Sequence, residues 1–201
     1  MSAISQKIRK NIENITELKQ KIFSWRELDK EHLFSAIKEF EKAPRREVAV
    51  YYNDLFNDPK LAKTLLDIYS SHKDNTNLTV LIVSTIGNIL QRYNLPETDE
   101  IYSFMLENAY KKYVGPYVAI FLPRMEHFAE YSDRWKYFMD VKEMAPRKVA
   151  HSSFETIIDL FYNKIPKEYK NEAKDYFLKK SEEADNQYGK KYYSDIAEKI
   201  R

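Results

Sequence analysis

The sequence predicts an all-α fold of about ten helices stacked as antiparallel pairs. Three observations carry that prediction. Only three glycines occur in 201 residues (Gly87, Gly115 and Gly189), whereas tight β-hairpins depend on Gly or Asn-Gly turns. Apolar residues recur at spacings of three and four, the period of a helix face. The prolines fall between segments of helix length, where a missing N–H and a fixed φ suit a helix start or a connector.

Ile4, Ile8, Ile12, Ile15, Leu18 and Ile22 fall on one stripe of a first helix. Asp29 is placed to cap a second segment, with Leu33, Phe34, Ile37 and Phe40 inward. Pro44 is read as opening a third, with Val48, Tyr51, Tyr52, Leu55 and Phe56. Asp58-Pro59 is a cap followed by a first-turn proline, ahead of Leu61, Leu65, Ile68 and Tyr69.

The stretch Asn75–Gln91 carries no charge and is apolar nearly all round, which predicts a central helix enclosed on both sides. Polar residues such as Asn77, Ser84 and Asn88 make it too polar for a membrane span. Next come Ile101, Phe104 and Met105, then a helix with Val118, Phe121, Met125 and Phe128, kinked or broken at Pro123. Ser132-Asp133 starts a segment containing Trp135, Phe138 and Met139, and His151-Ser152-Ser153 is read as a helix start. Phe154, Ile157, Ile158 and Phe161, then Tyr169, Ala173, Tyr176 and Phe177, then Tyr188, Tyr192, Ile196 and Ile200 complete the helices.

Ala43-Pro44-Arg45-Arg46 returns as Ala145-Pro146-Arg147-Lys148, and Asp54-Leu55-Phe56 before Pro59-Lys60 returns as Asp159-Leu160-Phe161 before Pro166-Lys167. Helix-pair repeats run about 34–47 residues, so this separation fits two or three units. In helix size and proline placement the chain resembles a HEAT or armadillo-type α-solenoid. The resemblance matches no family consensus residue by residue and carries over no site residue. It implies one all-helical domain over 1–201 that binds another protein on an extended curved surface.

Composition narrows the function. The absence of cysteine excludes disulfides, thiolate zinc sites and cysteine nucleophiles. With no secretory-type apolar core near Met1, the expectation is a cytoplasmic chain without a membrane segment. No G-x-G-x-x-G, P-loop or G-x-S-x-G pattern is present. Glu126, His127 and Glu130 share one helical turn but have no matching Glu-x-x-His on another segment. The chain is therefore expected to be no enzyme and to need no cofactor or metal.

The 33 basic and 31 acidic residues interleave and leave a net charge of +2, a weak footprint for nucleic acid. HEAT-like DNA glycosylases combine a basic concave face with tryptophan and aspartate, and Asp133, Trp135 and Asp140 raise that comparison. The favoured reading puts Trp135 in the core and Asp133 at a cap.

Arg124, His127 and Tyr131 recur at i, i+3 and i+7 beside the Phe121, Met125 and Phe128 stripe, with Arg134 following. Arg and Tyr are enriched in interface hot spots, so these four are the candidate protein-binding residues. The leading expectation is a protein-binding helical-repeat module, in its narrower form an inhibitor or bacterial toxin-immunity protein acting by occlusion. A HEAT-like nucleic-acid-binding or DNA-repair protein is the alternative.

Overall fold

Side-chain caps set many of the helix starts. A computed structural model describes residues 5–46 and 48–200, and every regular element among them is helical. Ile4 of the first stripe lies outside the described residues. Ser5 accepts from the Ile8 N–H at the start of α1 (Gln6–Phe23), and Asp29 accepts from the His32 N–H at 2.9 Å ahead of α2 (Lys30–Arg46). After the short α3 (Asn53–Phe56), Asp58 accepts from Lys60 and Leu61 to start α4 (Pro59–Ser71), the expected cap and first-turn proline. Asn75 caps α5 (Thr76–Tyr93) and Thr98 caps α6 (Asp99–Asn108). The chain continues through α7 (Gly115–Val118), α8 (Glu126–Ala129), α9 (Arg134–Val141), α10 (Arg147–Phe161), α11 (Lys167–Glu183) and α12 (Gln187–Lys199).

Packing arranges these helices in two rows. α1 packs on α2, α4 on α5, α6 on α7, α9 on α10 and α11 on α12; each pair is closed by a short connector, so its members run antiparallel. Across the pairs, α1 packs on α4 and α4 on α6, forming the start of the first row, and α9 packs on α11 farther along the chain. The second row runs α2, α5, α7, α10, each against the next. Among the described residues twelve α-helices stand where about ten were expected; α3, α7 and α8 have four residues each, and several 3-10 turns fill the connections. Buried apolar residues from Ile15 to Ile200 join in one cluster.

Polar ties lock the rows. The buried Lys19 ammonium donates to the Leu55 carbonyl at 2.8 Å and pairs with Asp58 at 2.7 Å, joining α1 to the turn before α4. Buried Glu41 accepts from Ser84 Oγ and pairs with Arg45 Nε at 3.0 Å, tying α2 to α5. Ser153 Oγ donates to the Pro116 carbonyl at 2.9 Å, tying α10 to α7.

Several expectations are corrected. Pro44 does not open a helix: it is buried in the last turn of α2, where it leaves the Phe40 carbonyl without an intrahelical N–H partner. Val48 and Val50 are consequently exposed. The repeat holds only in its second half, where Phe56 and Phe161 each end a helix ahead of a proline-led one. In its first half Pro44 ends a helix and Pro146 precedes one, and Glu47 lies outside the described residues. His151, Ser152 and Ser153 lie inside α10, because Pro146 already starts it. Asp133 stands at the start of α9, but its side chain makes no capping bond. Trp135 is half-buried and packs edge-on against Phe138, with ring centroids 5.2 Å apart. No helix among the described residues is long and apolar enough to cross a membrane.

Candidate protein-binding face

The four expected residues do not share a helix face: Arg124 ends a 3-10 turn, His127 lies in α8, Tyr131 follows the end of α8 at Ala129, and Arg134 starts α9. Pro116 and Pro123 leave three short pieces: α7, a 3-10 turn at Leu122–Arg124, and α8. Arg124 and His127 line one cleft of about 480 Å³ beside the last turns of α5, together with Gly87, Glu97, Phe121 and Glu126. Tyr131 instead stacks on Phe128 at 5.2 Å, and Arg134 donates to the Ala129 carbonyl.

Within that cleft the charges are largely engaged. Glu97 accepts from the backbone N–H groups of Glu126 and His127 at 2.9 and 3.1 Å and from His127 Nδ1, so it caps α8 from outside. The His127 ring stacks on Tyr102, and Asp99 lies 3.4 Å from Nε2. The hydrogen bond to Glu97 raises the His127 pKa above its ordinary value. Arg124 donates to the Ile120 carbonyl at 2.7 Å and forms no ion pair among the described residues. Of the other basic residues near helix ends, Arg45 pairs with Glu41 and Arg147 with Glu143.

A second feature lies on the outer side of the second row. Phe34 and Lys38 of α2, Val80 and Leu81 of α5, and Tyr113, Tyr117 and Pro146 around α7 enclose a cleft of about 400 Å³. One turn beyond Tyr117, Ile120 opens a neighbouring cleft of about 330 Å³ with Lys148, Val149, Ser152 and Thr156 of α10. Phe34, Val80, Leu81, Tyr117 and Val149 are half-buried, while Tyr113 and Ile120 are 50% and 37% exposed. An apolar strip thus crosses α2, α5, α7 and α10. The expectation that α5 is enclosed all round is corrected here, since its Val80–Leu81 flank meets solvent.

Tyr113 holds φ 65°, a left-handed conformation costly for a side chain with a Cβ. Its N–H donates to the Ala145 carbonyl at 3.1 Å, which pins the strained residue at the centre of the strip. Sequence reasoning missed this strip. Its signal was the spacing of Phe34 and Lys38 on α2 with an apolar run on α5 wider than one packing face needs.

A further cleft of about 450 Å³ opens between α4 and α6 in the first row, floored by Leu66, Leu95, Ile101 and Phe104. Both signs of charge ring it, and Lys73 and Glu107 pair at 2.8 Å at its edge.

Comparison with protein-family models, curated proteins and solved structures finds no match for this chain.

Proposed function

We propose that the chain is a protein-binding helical-repeat module that engages its partner across the outer face of the second row. The carrying observation is the apolar strip from Phe34 to Val149, half-exposed over four successive helices. Contiguous exposed apolar surface rimmed by polar residues marks interaction sites in soluble proteins, and aromatic anchors such as Tyr113 and Tyr117 suit interface centres. Stacked helix pairs present such a face over a long span. In the narrower form of this reading the module inhibits by occlusion, as a toxin-immunity protein does: it covers a partner's working surface and does no chemistry of its own. Arg124 flanks the strip through its bond to Ile120, and His127 stands one cleft away.

The test is affinity capture from nuclease-treated extract of the native host with three chains: wild type, Ile120→Glu, and Leu178→Glu as a control on α11. A protein retained by wild type and the control but lost on Ile120→Glu supports the reading. Equal retention by all three, or no protein retained by wild type from the treated extract, overturns it.

A further inference from the structure

We infer that the segment seated on the second-row face is acidic: an amphipathic stretch of a partner protein whose apolar side chains enter the two clefts while its Asp or Glu residues meet Lys38 and Lys148. This rests on the protein-binding reading above and adds the partner's chemistry. Three observations carry it.

Each cleft of the strip has one cation in its wall, Lys38 in one and Lys148 in the other, and no carboxylate lines either. Both lysines are exposed, and neither forms an ion pair among the described residues. What sets the two clefts apart is their lining: the cleft between α4 and α6 carries both signs of charge, with Lys73 paired to Glu107 at its edge, whereas these two carry a lysine alone. Arg124, bonded to the Ile120 carbonyl, adds a third cation without an ion pair at the edge of the strip.

Complementary charge on the partner speeds encounter and fixes register. A polyanion such as duplex DNA fits less well, because phosphate binding needs many clustered cations and here apolar clefts separate the few available. The apolar walls demand an occupant that buries hydrocarbon, and the lysines demand that it be negative.

The probe is a displayed library of random peptides, selected on the full-length chain at physiological salt. The expected winners combine aliphatic or aromatic residues with several Asp or Glu. A synthetic winner should bind roughly tenfold more weakly to the Lys38→Glu, Lys148→Glu double variant, the loss expected from two exposed ion pairs and the repulsion replacing them. It should lose binding to Ile120→Glu and keep it to Leu178→Glu, with each variant's fold checked by circular dichroism. Neutral or basic winners, or winners indifferent to the lysine reversals yet still lost on Ile120→Glu, overturn the acidic chemistry and leave the face reading standing. Winners indifferent to Ile120→Glu, an absence of winners, or displacement by duplex DNA overturns both.

Discussion

The Phe121 ring occupies the place where a side chain on Gly87 would begin: a Cβ built there meets Phe121 Cγ at 2.3 Å and Cδ2 at 2.4 Å. This contact joins the middle of α5 to the residues after α7, in the wall of the cleft that holds Arg124 and His127. Glycine within a helix ordinarily costs about 1 kcal/mol relative to alanine. Here the close approach reverses that preference, because the blocking atom is the root of a buried ring. Gly87→Ala is expected to destabilise by about 1–3 kcal/mol, the usual cost of overpacking, in urea denaturation. A gain in stability would contradict this packing.

The core of α5 gives a second expectation. Ile82 and Ile86 are fully buried, so truncating either to Ala should cost about 2–5 kcal/mol. Lys179 is exposed and pairs with Glu183 only at 3.8 Å. Lys179→Ala should therefore stay within about 0.5 kcal/mol of wild type. Equal midpoints for Ile86→Ala and Lys179→Ala would remove α5 from the centre of the fold.

His127 supplies a pH dependence of defined sign. Its pKa is raised, chiefly by the bond to Glu97, so the folded state holds the proton more tightly than the unfolded state does. The resulting stabilisation is complete below the ordinary imidazole value of about 6.5. It fades as pH rises through the higher folded value. Urea midpoints of wild type relative to His127→Gln should fall across that window; a flat difference between the two chains would contradict the raised pKa.

Tyr113 carries a backbone cost that glycine would not. A left-handed residue with a Cβ costs about 1–2 kcal/mol, while glycine adds unfolded-chain entropy of about 0.4–1 kcal/mol. Tyr113→Gly should therefore fold within about 1 kcal/mol of wild type, whereas Tyr113→Val, β-branched at the same φ, should fall below both. Thermal melts of the three chains decide the order, and a valine variant as stable as the glycine variant would contradict it.

Local signals in the sequence survive folding where they are self-contained. Asp58-Pro59 caps and opens α4, the first isoleucine stripe puts Ile15 and Ile22 in the core, and the charge-free run becomes α5. Positions whose role depends on distant packing were not legible. Pro44 resembles a helix start but is held inside α2 by tertiary burial. The break at Pro123 was legible, but the end of α8 at Ala129 was not, so Arg124 and His127 meet in a cleft while Tyr131, past that end, stacks on Phe128. The apolar strip is assembled from four helices far apart in the chain, and periodicity within any one of them cannot reveal that their outer flanks align.

A protein partner seated on the second row would lie within reach of Tyr117 and Ile120. Site-specific photo-cross-linking reads out that contact, with the photoreactive residue placed in turn at Tyr117, at Ile120 and at the exposed Leu178 of α11. In extract of the native host, a protein adduct is expected from positions 117 and 120 and none from 178. Adducts from 178 alone, equal adducts from all three, or adducts that nuclease removes would contradict it.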